Sequence, residues 1–178
     1  MRIAFATFAI LKEPYGSPVV QGFDDRTPDV FKEAERADGF IARAKEISGS
    51  NETNFNREWG DWGNFHVPNF YTLGRTNQTD QRASTISIWK DIGYVNRFVY
   101  SGLHLEALKK QKEWFLKTEW PTYAVWWIDD THVPQWKEAS KKIDQLHNIG
   151  ASPSSFDFKN PFNRSGKPIN LKDLKHIA

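Results

Sequence analysis

The opening ten residues constrain the fold more than any other stretch. From Arg2 to Leu11 an extended chain places Ile3, Phe5, Thr7, Ala9 and Leu11 on one side and Ala4, Ala6, Phe8 and Ile10 on the other. Both sides are predominantly apolar. The run is therefore predicted to be a strand buried on its two faces, in a sheet with a covering layer on each side.

The rest of the chain supplies partners for that strand. After the breaks at Pro14, Gly16 and Pro18, Thr27 and Pro28 begin a helix, with Thr27 suited to the N-cap and Pro28 to the first helical position. It is predicted to run through Val30, Phe31 and Ala34 and to stop near Asp38 and Gly39. Phe40 to Ile47 and Arg82 to Lys90 alternate as a second and third strand. A helix is predicted from Ile92 to Phe115, with Val95, Phe98, Val99, Gly102 and Leu105 as its core face. Tyr100, His104, Leu108 and Gln111 form a neighbouring stripe, because residues three or four apart adjoin on a helix. Tyr123 to Asp129 is a nearly continuous apolar run, predicted to be a central strand. Gln135 to Asn148 reads as a last helix, stopped by Gly150. Phe156, Phe158 and Phe162 mark an extended segment laid across the body, and residues 163–178 a polar, loose tail.

Strand, helix, strand, strand, helix, strand is the α+β ferredoxin-like pattern, βαββαβ, here with an added C-terminal helix and tail. Residues 1–162 are expected to form a single domain with a long loop insertion at 48–81. That loop carries Trp59, Trp62, Phe65, His66, Phe70 and Tyr71. It is either a lid or binding loop, or a surface excursion tacked down by its aromatics. Helices cover one face of such a sheet, and a second copy of the chain is a common cover for the other, so a homodimer is expected.

Composition narrows the function classes. Aromatic residues make up 15% of the 178, including eight Trp, which fits either a heavy core or an organic-ligand pocket. The formal charge is +2, with 24 basic and 22 acidic residues interspersed, so no nucleic-acid patch is read. Cysteine is absent, which excludes disulfides, thiolate catalysis and cysteine-based metal sites. No apolar run reaches the ~20 residues that span a bilayer, and the N-terminus lacks signal-peptide features. The expected setting is the cytoplasm, with no membrane partner.

Three blocks carry a family resemblance. They are Ser87-Ile88-Trp89 with Phe98 to His104 and Trp114-Phe115; Val125 to Ile128 with His132-Val133-Pro134; and Glu138-Ala139 leading to Gly150 to Pro153 and Phe156 to Phe158. Together with the opening strand the chain resembles an uncharacterised domain family related to the antibiotic biosynthesis monooxygenases, of the dimeric α/β-barrel superfamily. That resemblance implies a dimeric α/β barrel. The superfamily spans cofactor-free oxygenases, haem-binding and haem-degrading proteins and non-oxidative enzymes, so the fold does not fix the reaction. Its haem-degrading branch places an Asn on the first strand and a Trp and His ten residues apart on the second long helix. This chain has Phe98 and Leu108 at that spacing and no Asn on the first strand, which argues against haem degradation.

The candidate catalytic residues are His104, Tyr100 and His132. His104 either transfers a proton near neutral pH, oriented by Tyr100 or Ser101, or is a buried histidine that bonds a carbonyl and fixes its helix. His132 either reaches the pocket mouth or pairs with Asp130 to hold the turn before the last helix. The candidate substrate-binding residues are Trp127, Trp126, Trp89, Arg43, Ser101, Phe5 and Thr7. Trp126 and Trp127 point to opposite faces, so only one should touch a ligand. Trp89 is also a natural core residue. Arg43 is either an anion anchor or half of an edge salt bridge.

No nucleophile elbow, phosphate loop, dinucleotide fingerprint, paired-carboxylate motif or HExxH-type metal spacing occurs, so no cofactor and no metal are expected. Catalysis would then rest on pocket shape, a His or Tyr proton relay and the substrate's own reactivity with oxygen. The leading expectation is a cofactor-independent monooxygenase-like enzyme acting on an aromatic or polycyclic secondary metabolite. The alternatives are a non-oxidative cyclase, isomerase or dehydratase in the same pocket, and a non-catalytic binding protein for haem or an apolar ligand.

Overall fold

The computed structural model describes residues 1–47, 55, 58–71 and 81–176. Its elements in order are β1 (Arg2–Ile10), α1 (Gln21–Asp24), α2 (Thr27–Arg36), β2 (Phe40–Arg43), β3 (Arg82–Trp89), α3 (Ile92–Val99), α4 (Gly102–Trp114), β4 (Tyr123–Ile128) and α5 (Trp136–Ile149). Short helices of the tighter 3-10 type occupy Gly60–Trp62 and Leu171–His176. The four strands form one sheet in the order β2-β3-β1-β4, with every neighbouring pair antiparallel. This is the ferredoxin-like topology read from the sequence, and the protein is α+β.

The register sorts the strand residues cleanly between two faces. Ile3, Phe5, Thr7 and Ala9 of β1 stand opposite Trp89, Ser87, Thr85 and Ala83 of β3, and share a face with Trp127, Val125 and Tyr123 of β4. Helices α2, α3 and α4 lie on this side, where Val95, Phe98 and Val99 of α3 join Ile3, Phe5 and Trp89 in a buried cluster. On the other face Ala4, Ala6, Phe8 and Ile10 meet Ile86, Ile88 and Trp126 under α5, which contributes Trp136, Ala139, Ile143 and Leu146.

That second face corrects one step of the sequence argument. A second copy of the chain is not needed to cover it, because α5 and the chain's own Phe55, Trp59, Phe65, Phe70 and Tyr71 already do so. The Trp136 ring lies within 6 Å of three of these rings, at centroid separations of 5.9 Å from Phe55, 5.0 Å from Trp59 and 5.0 Å from Phe65. The loop is fastened by Asp144, a buried carboxylate on α5 that accepts the backbone N–H of Asn69 at 2.8 Å and of Phe70 at 3.4 Å. The lid reading of the loop falls partly on residues 48–54, 56–57 and 72–80, outside the described residues.

Several boundaries differ for local reasons. Thr27 does not cap α2. Its hydroxyl donates to the Phe23 carbonyl at 2.9 Å, so the turn of α1 leads into the helix and Arg26 stands at the cap. β2 ends at Arg43 rather than Ile47, although the Ala44 N–H still donates to Ile86 O at 2.9 Å. The single helix expected over 92–115 is two. α3 ends at Val99, and α4 starts after Ser101 with Gly102 at φ +51°, a backbone conformation other residues rarely adopt. A Cβ at Gly102 would also collide with the Glu33 carboxylate.

β4 is an edge strand, not a central one. It is apolar on both sides because Ala124, Trp126 and Ile128 pack on the α5 side and Tyr123, Val125 and Trp127 on the helix side, while along its outer edge the Val125 and Phe156 amides exchange bonds of 2.8 and 2.9 Å. α5 stops where the sequence places its stop, with Gly150 at φ +77°. The segment after Asn163 is not loose where it is described. Ile169 and Leu171 pack against the helix-side cluster. No helix among the described residues is long and apolar enough to cross a membrane.

Candidate functional site

A cavity of about 1100 Å³ runs along the helix side of the sheet beneath α2 and α4 and extends to Phe55, Trp59, Trp136 and Leu146 of the α5 side. Its origin is the choice of strand residues. Toward their outer halves β1 and β3 carry Thr7 and Ala9 opposite Thr85 and Ala83, and these short side chains leave unfilled a volume that larger residues would occupy. Polar groups on the floor are tied to each other. The Thr7 and Thr85 hydroxyls are 2.9 Å apart, and the Thr85 N–H donates to Thr7 Oγ1 at 3.0 Å. Ser87 Oγ accepts the Trp89 indole N–H at 2.9 Å, which turns that ring into the wall against Phe98 and Phe40.

His104 projects into the cavity from the first turn of α4, followed along the same stripe by Leu108 and Gln111. The helix break before Gly102 sets this orientation. The backbone N–H groups of Leu103 and His104 donate to the Glu33 carboxylate of α2 at 3.1 and 3.3 Å, capping α4 from a neighbouring helix. His104 Nδ1 lies 2.9 Å from Val99 O, so it carries the proton and donates. Nε2 is left as an acceptor with no partner among the described residues. Burial pushes the imidazole below its ordinary value, opposed by the Val99 carbonyl and by the charge of Glu33. The ring is thus held neutral with a basic nitrogen free.

Tyr100 stands at the mouth, half exposed, with its ring edge-on to Phe158 at 6.0 Å. Tyr123 lines the wall behind it. Burial raises the Tyr123 phenol above its ordinary value, and its oxygen accepts the Phe158 N–H at 3.2 Å. Among the residues singled out from sequence, His104, Tyr100, Phe5, Thr7, Trp89 and Arg43 line the cavity. Arg43 is engaged there by Glu35 at 2.9 Å and lies 3.9 Å over the Phe31 ring, the edge salt bridge that was one of its two readings.

The other four lie elsewhere. Ser101 lines an outer groove of about 480 Å³ between α2 and α3. Trp126 is on the α5 face, its N–H donating to Glu138 Oε1 at 2.8 Å. Trp127 is on the helix side, but its N–H is bound to Phe162 O at 2.8 Å and the ring does not line the cavity. His132 is on the surface beside α5, 2.6 Å from Glu138 rather than paired with Asp130. Asp130 instead holds the N-terminal amine at 2.9 Å. Sequence reading missed Thr85, Ser87 and Tyr123. The available signal was the run of small residues Ala83-Ser84-Thr85 in an otherwise apolar strand.

Fold and site together define a ferredoxin-like α+β protein with a partly open, mainly apolar cavity lined at one end by His104. The chain belongs to DUF3291, a domain of unknown function, whose family model matches residues 2–172. Among solved structures it is similar to SnoaB, a cofactor-independent oxygenase from Streptomyces nogalater, at 12% identity and a TM-score of 0.42, covering 73% of this chain and 95% of that one. So distant a likeness carries no argument about activity. None of the curated proteins matches the chain.

Proposed function

We propose that the chain is a monooxygenase-like enzyme acting on an aromatic or polycyclic small molecule, with His104 as the base that removes the substrate's proton. The observation that carries this reading is the state of His104, whose Nδ1 is fixed on Val99 O, whose Nε2 has no partner among the described residues, and which lines a cavity of about 1100 Å³. Loss of a proton from a hydroxylated aromatic leaves an electron-rich anion that can react with oxygen. The protein then has to supply deprotonation, orientation and exclusion of water. Tyr100, at the mouth, is placed to bind or orient a ligand oxygen.

The test is oxygen uptake by purified protein with a panel of anthrones and naphthols, without added flavin or metal. His104→Ala is expected to lower turnover by about 10²–10⁴-fold, the range for general base catalysis, with an unchanged circular dichroism spectrum. Unimpaired turnover in that variant would remove His104 from the chemistry. Turnover that persists under nitrogen would place the reaction among the non-oxidative cyclases, isomerases or dehydratases, which the same base could serve.

A further inference from the structure

The cavity has a charge that the chain as a whole lacks. With 24 basic and 22 acidic residues overall, the sequence is nearly balanced. Yet Lys12, Arg26, Arg43, Lys112, Lys117 and Lys159 line this cavity, and Asp157 is the one acid beside them among the described residues.

Three of the six cations are already engaged or offset. Arg43 is held by Glu35. Arg26 donates to the Gly22 carbonyl at 2.6 Å and lies over Trp114. Lys159 is two residues from Asp157. Lys12, Lys112 and Lys117 remain, and none of them has an acidic partner among the described residues.

Chain pairing gathers these three at one end of the cavity. Leu11 bridges Phe115 in antiparallel fashion, and the Leu116 N–H donates to Ile10 O at 2.9 Å. That register sets Lys117 across from Ala9, on the cavity side of the sheet. Lys12 Nζ reaches the carbonyl of Lys112 at 2.7 Å near the end of α4. Lys12 therefore satisfies a late carbonyl of the helix, a structural duty. The side chains of Lys112 and Lys117 have no such duty among the described residues. Lys112 lies eight residues beyond His104 on α4, a rise of about 12 Å. Between the two ends run Leu108, Ala9 and the Phe23 and Phe115 rings, which are 5.0 Å apart.

We propose that the ligand of this cavity is an amphipathic anion, with an apolar or aromatic body along Leu108 and Ala9 and a carboxylate or sulfonate held by Lys112 and Lys117 at the end remote from His104. The inference rests on the cavity being the ligand site, and adds the charge and polarity of what fills it. An acid group held at that end, about two helical turns from His104 along α4, also orients the body, so that the end opposite the acid lies toward His104.

A matched pair of dyes tests it. 1-Anilinonaphthalene-8-sulfonate and N-phenyl-1-naphthylamine share one aromatic body, and only the first is an anion. Fluorescence titration should show the sulfonate binding about tenfold more tightly, the effect of two partly screened charge pairs. In Lys112→Gln/Lys117→Gln that advantage should vanish while the neutral dye binds as before. Added salt should weaken only the sulfonate. Leu108→Trp, which narrows the chamber between its two ends, should weaken binding of both dyes. Equal affinity of the two dyes for the wild type, or an advantage that survives in the lysine variant, overturns the anion while leaving the chamber standing. Dye binding that is absent from the wild type, or unaffected by Leu108→Trp, removes the chamber as a ligand site, and the anion with it.

Discussion

The two faces of one sheet are finished in opposite ways. On the α5 side, β1 presents Phe8 and Ile10, and the layer above is a mesh of Phe55, Trp59, Phe65 and Trp136 rings in mutual contact. On the helix side the same strand presents Thr7 and Ala9 to a cavity, which also reaches Phe55, Trp59 and Trp136 of that mesh. The same strands and the same alternation serve both. What differs is side-chain volume, so stability is concentrated where the faces interlock, and binding is possible where they do not.

The contrast can be broken most directly at Trp136, which is 2% exposed. Trp136→Ala should cost about 3–5 kcal/mol, the range for deleting a buried aromatic. Urea unfolding measures it, and a loss below about 1 kcal/mol would mean that the mesh does not carry the fold. The next test uses two alanines of one strand. Ala6, fully buried on the α5 side, should not accept a larger side chain, and Ala6→Leu is expected to cost about 1–3 kcal/mol by overpacking. Ala9→Leu, on the chamber side, should stay within about 0.5 kcal/mol of the wild type. Equal costs for the two would erase the distinction between the faces.

Asp144→Ala should cost about 1–3 kcal/mol by leaving the Asn69 and Phe70 donors without their acceptor. Amide exchange at those two positions should accelerate more than at residues of β1 and β3. The smallest effect concerns His104. Because its folded value is depressed below the ordinary 6.5, the unfolded chain takes up a proton first as pH falls. The contribution of this group to stability is therefore present above pH 6.5 and lost as pH falls below it. An imidazole titration followed by NMR should give a midpoint below 6.5. A midpoint above 6.5 would mean that the Val99 carbonyl and Glu33 outweigh burial.

The topology was legible in the sequence because it rests on periodicity. β1 and β3 alternate, α5 is bounded by Pro134 and Gly150, and each appears close to where it was expected. β4 reads as central because Tyr123 to Ile128 is apolar on both sides, and its outer neighbour, Phe156, is remote in sequence. That residues 58–71 cover the second face follows one of the two sequence readings of the loop, an excursion tacked down by its aromatics. In the site, the stripe of Tyr100, His104, Leu108 and Gln111 was visible from helical spacing alone, although the break at Gly102 was not. Thr85 and Ser87 become part of a floor only once β3 is paired to β1, and pairing is not written in either strand by itself.

The pairing of Phe156 with Val125 has a consequence for how copies of this chain meet. A sheet ending in a strand such as Tyr-Ala-Val-Trp-Trp-Ile, with its amides open, offers a template to any extended chain that approaches it. Here one short strap, held in place by the Ser155 hydroxyl donating to the Lys142 carbonyl at 2.6 Å, occupies the middle of that edge. The C-terminal segment thus occupies, in the folded chain, part of an edge that edge-to-edge polymerisation would otherwise use.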